Sequence, residues 1–390
     1  MIKKVPSLLI ILFFLFISFQ TRAQEEPKFK AIPTARLLVD GAFYSGSPKE
    51  LFSNGMAISE ARVGAKMSYG KWASWIDVGF AYGKVGLRNM WIDYNFSPNH
   101  LIRIGNFPQP FGYESPTTYS FKSTFEVPLA AALFTPSLQL GAMYAFHNPM
   151  FYAAGAFHVE SSALTNVINY PLFNQQGIGV LTRLVWRTKT SGEKMQPIIQ
   201  AGISGGFATP QQHLVDNYDE HDAFQISANF PTKVTTLQAV GATISNARNL
   251  FKFSPELLLS YRKIALESQY FFQNISRKNG LDCYKSQGVY ATVRAILFGD
   301  DYTYDSSIAH LGNPKKKTLE FVADYNYANL SDKGAGIKGG RANGFNFTLN
   351  YYFNPYITAR LNYSYTHTWD RAGYDPITMN VFQARIMVMF

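Results

Sequence analysis

The segment from Val381 to Phe390 alternates strictly, with Phe382, Ala384, Ile386, Val388 and Phe390 on one face and Gln383, Arg385, Met387 and Met389 on the other. A period of two is strand periodicity, and a face that is apolar to its last residue needs an apolar solvent. Lipid can take that face while an aqueous interior takes Gln383 and Arg385, as in the closing strand of a transmembrane β-barrel. The terminal aromatic resembles the signal by which bacterial outer-membrane proteins enter the barrel-assembly machinery. Outer-membrane lipid and that machinery are therefore the first expected partners, and the outer membrane of a Gram-negative cell is the expected compartment.

The other end of the sequence agrees. Lys3 and Lys4 precede an apolar run from Leu8 to Phe19, and Thr21-Arg22-Ala23 offers small residues where a signal peptidase reads. Residues 1–23 are read as a signal peptide and 24–390 as one barrel domain. The apolar run is too short for a helix to span a bilayer, which takes about 20 residues, and no later stretch replaces it. If the chain crosses a membrane, it does so as strands. Composition fits: aromatics make up 16% of the chain and hydrophobics 47%, yet mean hydropathy is only −0.10. A wall with one wet face averages to such a value.

Segments of alternating residues recur from Thr34 onward, separated by Gly, Asn, Asp, Ser and Pro clusters. The clearest are Ser59 to Tyr69, Trp72 to Tyr82, Leu87 to Phe96, Asn99 to Asn106, Gly177 to Lys189, Val234 to Ser245, Phe251 to Arg262, Ile264 to Asn274, Gln287 to Leu297, Thr318 to Tyr327, Asn343 to Phe353, Ile357 to Thr366 and Asn380 to Phe390. Thr34 to Tyr44, Leu138 to Phe146, Met150 to Glu160 and Pro197 to Phe207 are weaker. That makes about 17, and because bacterial single-chain barrels are even-numbered the expected fold is an all-β antiparallel transmembrane barrel of about 16 strands, with 18 the other choice. Connections are expected to alternate, tight at Tyr69-Gly70-Lys71, Pro98 and Asn354-Pro355. Phe107 to Pro136, Ser161 to Gln175, Thr209 to Asp222 and Asp300 to Pro314 are long enough to be extracellular or inward-folded. Trp72, Trp91, Trp186 and Trp369 lie near segment ends, where interfacial girdles would place them.

Parity also directs the charges. Placing Ala61, Val63, Ala65, Met67 and Tyr69 towards lipid sends Glu60, Arg62 and Lys66 inward, since a basic side chain on the lipid face costs about 2–4 kcal/mol at the midplane. The same argument sends Arg36, Asp77, Asp93, Arg103, Arg183, Arg187, Glu267, Arg294, Asp324, Arg360 and Arg385 to the lumen, where cations outnumber acids. The net charge of +10 is scattered through these segments, which excludes the basic tail or compact patch of a nucleic-acid binder. The single Cys283 excludes an intramolecular disulfide and a thiolate metal site. No cofactor is expected. Between Phe107 and Pro136, Tyr119, Phe121, Phe125 and Glu126 carry too much apolar surface for a free excursion, so this loop is expected to fold inward and narrow the pore.

The strand bearing Glu60 to Gly64, Asp93 among aromatics, Gly105-Asn106-Phe107 running to Pro110-Phe111, the Phe125-Glu126 pair and Gly141 together resemble the phosphate-selective porin O and P family. The resemblance implies a 16-stranded, usually trimeric barrel with inward loops and lumenal Arg and Lys that draw phosphate-like anions to a constriction. Several basic positions of the family pattern are absent: Ser59-Glu60-Ala61-Arg62 keeps only its last arginine, Pro108 stands where a lysine is expected, and Val127 and Leu138 stand where arginines are usual. Each absence weakens the field on a permeating anion.

The expected function is passive diffusion of small hydrophilic solutes with a modest lean towards anions. Arg62, Lys66 and Arg103 are the leading pore residues, Arg36, Arg183, Arg187, Arg294 and Arg360 further lumenal cations, and Asp93 and Glu114 acidic partners. A non-selective porin, a barrel anchor or adhesin, and an outer-membrane hydrolase are the other readings. His158 and Ser162 are the nearest approach to a catalytic pair, with neither Gly-x-Ser-x-Gly nor His-Glu-x-x-His in the sequence.

Overall fold

The computed structural model describes residues 27–81, 85–117, 121–136, 138–159, 177–189, 197–210 and 222–390. The expected signal peptide, Ser162 with the whole 161–175 connection, and most of the 209–222 connection lie outside them. Twenty strands follow in order: β1 Lys30–Tyr44, β2 Gly55–Tyr69, β3 Trp72–Gly79, β4 Gly86–Ser97, β5 His100–Pro108, β6 Leu138–His147, β7 Phe151–Val159, β8 Ile178–Arg187, β9 Ile198–Ala208, β10 Phe224–Asn229, β11 Gln238–Ile244, β12 Ala247–Tyr261, β13 Ile264–Arg277, β14 Tyr284–Phe298, β15 Tyr304–Asp305, β16 His310–Leu311, β17 Thr318–Asp332, β18 Ile337–Tyr352, β19 Ile357–Arg371 and β20 Ile377–Met389. Among the described residues one short helix, α1, spans Leu129–Phe134.

Sixteen of these strands form one closed antiparallel barrel, in which β9 pairs directly with β12 and β14 with β17. Closure is made by β1 on β20, from Arg36 opposite Met389 to Tyr44 opposite Val381. Both edges of the barrel sheet are thereby paired, as hydrocarbon requires. The alternation behaves as parity demands: Phe382 and Ile386 are exposed on the outer face, while Gln383 and Arg385 are buried on the inner one.

Val234 to Ser245 does not join the wall. It becomes β11, which pairs with β10 in a separate two-stranded sheet. Val240 and Ile244 of this hairpin are wholly buried in one cluster with α1 residues Ala130, Ala131 and Phe134 and with lumenal Phe271, Ala328, Ala342 and Val381. A segment that alternates but is apolar against the inside of the barrel is a hairpin packed in the lumen, and its removal brings the expected 17 segments to an even count.

Two more expectations are corrected. The two-residue turns at 70–71, 98–99 and 262–263 share one end with both described termini, which is the periplasmic end by the short-turn rule. The 299–317 connection also leaves from that end, so short and long connections do not alternate cleanly; it enters the lumen as β15 and β16. Trp91 is no girdle residue: it shares the lumenal face with Asp93 and lies beneath the Arg103 guanidinium, 3.8 Å from the ring centre. Trp72, Trp186 and Trp369 are on outward-facing positions, with Trp72 and Trp186 exposed.

Candidate functional site

Among the described residues, three segments occupy the lumen. From the extracellular end come 109–117 with 121–136, carrying α1, and 222–246, carrying β10 and β11; from the periplasmic end comes 299–317. The first and third meet: Tyr113 stacks on His310 at 4.2 Å and its hydroxyl accepts from Leu311 N–H, while Asn313 Nδ2 donates to Phe121 O. Gly112 is in the left-handed region with φ +82°, and a Cβ there would overlap the Gln269 side-chain amide of β13. Only glycine lets the loop run this close to the wall.

The lumenal arginines hold these segments in place. Arg183 forms a fork on Glu256 at 2.7 and 3.0 Å and turns its remaining N–H groups to the carbonyls of Ile308 and Ala309. Arg187 donates to the Tyr304 hydroxyl and Ser306 O. Arg294 pairs with Glu320 at 2.9 Å and reaches Asn313. Arg360 donates to Thr124 O and Lys122 O at 3.0 and 2.6 Å. Arg385 pairs with Asp40 through two bonds of 2.7 Å, with Glu126 at 2.6 Å, and with Phe125 O. All five side chains are fully buried. A guanidinium has five donors in a planar fork, so it can neutralise a wall carboxylate and cap the carbonyls of an irregular loop with the same group. Glu114 lies within the inward loop, paired with Lys122 at 2.6 Å and out of solvent. Burial alone would raise the Glu126 carboxyl, but Lys233 and Arg385 outweigh it and hold it below the ordinary carboxylate value.

With few exceptions, lumenal positions from β6 round to β20 and β1 are covered. On β2 to β5 Arg62, Lys66, Trp75, Arg88, Trp91 and Arg103 reach solvent, while Glu60, Asp77, Asn89, Asp93 and Phe107 are buried beside them. Gly64, Gly79 and Gly105 take lumenal positions there, and at Gly64 and Gly105 a Cβ would overlap the backbone of the neighbouring strand. A cavity of about 210 Å³ lies against this side, lined by Glu60, Arg62, Arg88 and Arg385 and, from the inward 222–246 segment, Lys233. Arg36 holds Glu60 at 2.9 Å, and Arg62 is shared between Glu60 and Asp77. Asp77 in turn accepts from the Asn89 backbone and side chain. About 13 Å further along β2, at 3.3 Å per residue, Lys66 sits 4.6 Å from the Trp75 ring centre. Beside it Trp91 carries Arg103, which binds Asp93 through two bonds of 2.7 and 2.8 Å.

Of the cations named from the sequence, Arg62, Lys66 and Arg103 lie on this solvent-lined side. Arg183, Arg187, Arg294 and Arg360 face inward but are covered by the segments they hold, and Arg36 is buried behind Glu60. Sequence reasoning missed Arg88 and Lys233. The β3–β4 register shifts between Ile76 and Val78, so strict alternation fails just where Arg88 turns inward. Lys233 lies in the link from β10 to β11, within a segment mistaken at its end for wall. Among the described residues neither Lys66 nor Arg88 has an ion-pair partner.

The family model described as phosphate-selective porin O and P matches residues 20–171 and 226–390. No curated protein matches the sequence. Among solved structures, an anion-selective porin from Comamonas acidovorans is similar in fold at TM-score 0.58 and 11% identity, over 93% of this chain and 100% of that one. In-vitro folded OmpT, an outer membrane protein of Vibrio cholerae, gives TM-score 0.58 at 13% identity, over 94% and 100%. Its trimer form gives 0.56 at 13%, over 93% and 99%.

Proposed function

The chain belongs to the phosphate-selective porin O and P family and is a porin of the Gram-negative outer membrane; from that premise we propose that it conducts small hydrophilic solutes along the β2–β5 side of its lumen with a modest preference for anions. The observation that carries this reading is the distribution of lumenal exposure: partly or fully exposed cations gather on β2–β5, among them Lys66 and Arg88, which have no ion-pair partner among the described residues. Four cations, Arg62, Lys66, Arg88 and Arg103, stand there, with Arg36 of β1 buried behind Glu60, against the carboxylates Glu60, Asp77 and Asp93. The excess is small because most of the guanidinium charge is already compensated, and a weak field raises local anion concentration only modestly.

No bond is made or broken in this mechanism. An anion entering from outside meets Arg62, Arg88 and Lys233, exchanges part of its hydration for their N–H groups, and moves past Gly64 to Lys66 and Arg103. We assign no enzymatic step. The trimer form among structures of the same fold supports a homotrimer for this chain. Reversal potentials in asymmetric potassium chloride, measured on purified protein in planar bilayers, test the reading. Anion selectivity that strengthens as salt is lowered is expected. Cation selectivity would overturn the electropositive passage, and absence of conductance would overturn the open one.

A further inference from the structure

Resting on the porin reading, we propose that the lower half of the passage is a binding stretch for organic anions, solutes that carry an oxyanion on a flat apolar face. The sites of passage described so far deal only in charge. The lower stretch differs. Trp75 and Trp91 are cross-strand partners on the lumenal face, with ring centroids 6.3 Å apart and planes at 86°. Both are only partly buried, whereas the wall aromatics Phe271, Tyr284, Tyr290 and Tyr352 are sealed under the inward segments.

Each indole has a cation of its own. Lys66 Nζ is 4.6 Å from the Trp75 ring centre, and Arg103 Cζ is 3.8 Å from that of Trp91 and 5.8 Å from that of Phe107. Cation and ring attract each other, so the charge is held against the apolar surface without a carboxylate having to hold it. That matters for Lys66, which stays exposed with no carboxylate paired to it among the described residues. Arg103 is oriented by its two bonds to Asp93. The combination is an apolar edge-to-face pair with one fixed and one available cation at its rim. A bare inorganic ion can use only the cation; a solute with a ring or other flat apolar face beside its carboxylate or phosphate can use both, since sites for small organic molecules join apolar surface to a few placed polar groups. Lys66 and the indoles face an aqueous passage on one side, so the stretch is reached without opening any of the three inward segments.

The experiment is block of chloride current through the full-length protein in planar bilayers, with benzoate as the probe and acetate and inorganic phosphate as controls of matched or greater charge. Benzoate is expected to block at lower concentration than acetate. Trp91→Leu is expected to weaken benzoate block about two- to tenfold, the size of one aromatic contact, and to leave acetate unchanged. Lys66→Gln, on an exposed side chain that holds nothing together, is expected to weaken both organic probes. Equal block by benzoate and acetate, or benzoate block indifferent to both substitutions, overturns the proposal while leaving a conducting porin. Phosphate blocking more strongly than benzoate overturns it in favour of a purely charge-based site. A protein that carries no chloride current fails the underlying porin reading instead.

Discussion

At the scale of single residues, lumenal cations fall into two kinds that parity cannot separate. Lys66, Arg183 and Arg294 face inward at alternate positions, and Arg88 does so through the register shift in β4. What distinguishes Lys66 and Arg88 from Arg183 or Arg294 is the presence of a loop above them and a carboxylate beside them, and both come from segments distant in sequence. The expected effects of substitution therefore differ. Neutralising Lys66 and Arg88 together to glutamine should lower the chloride-to-potassium permeability ratio without altering folding. The shift should be largest near 0.01 M salt, where the Debye length of about 30 Å lets wall charge act across the lumen. Reversal potentials of the double variant check it. Arg183→Ala should instead leave Glu256 buried without its partner and destabilise the barrel by about 3–5 kcal/mol, read as a lower urea midpoint for refolded protein in detergent. For the same reason Arg385, tied to Asp40 and Glu126, is no silent control for the lipid-facing Ile386. Ile386→Arg is expected to reduce outer-membrane levels sharply, whereas Lys66→Gln, its lumenal counterpart, should leave them at the unmodified level.

At the scale of elements, the wall was legible and the plug only partly so. Strands such as β8, where Ile178, Val180, Leu184 and Trp186 are exposed and Arg183 and Arg187 buried, declare both faces in their spelling, because one solvent is lipid and the other is not. Inside the lumen that contrast vanishes. The β10–β11 hairpin packs apolar residues against the wall and so spells itself like a wall strand, and only the pairing of β9 with β12 shows that it was passed over. The Phe107 to Pro136 loop is expected to fold inward on Tyr119, Phe121, Phe125 and Glu126; Phe125 is buried, but Phe121 is exposed and Tyr119 lies outside the described residues, and the inward packing is made by Phe111, Tyr113 and Phe134 as well. Its counterpart from the periplasmic end is held by Arg183, Arg187 and Gln200, contacts with no local signature. Replacing 303–312 by a short Gly-Ser link is expected to free those three side chains and raise single-channel conductance. Unchanged conductance would mean that the covered side of the lumen contributes nothing even when its periplasmic cover is gone.

At the scale of the whole molecule, orientation and maturation can be checked directly. Cys283 is exposed in the 278–283 connection, at the end opposite the short turns. A membrane-impermeant maleimide added to intact cells should label it, since no other thiol competes; labelling only after lysis would invert the assignment of ends. Intact mass of protein from outer membranes should correspond to a chain beginning at Gln24, as the small residues before it predict.

Sequence alone determined that the chain is a barrel, which face meets lipid in the wall strands of unbroken alternation, and that the lumen is lined with basic residues. These follow from local rules: a two-residue period, the cost of a charge in hydrocarbon, and the need for every edge to be paired. Tertiary structure alone decided which strands count, which side of the lumen stays open, and which arginines are left to meet a solute. Those depend on where three irregular segments come to rest, and a guanidinium that caps the carbonyl of Ile308 or Thr124 bonds across more than a hundred residues of intervening chain, a relation that no spacing within either segment encodes.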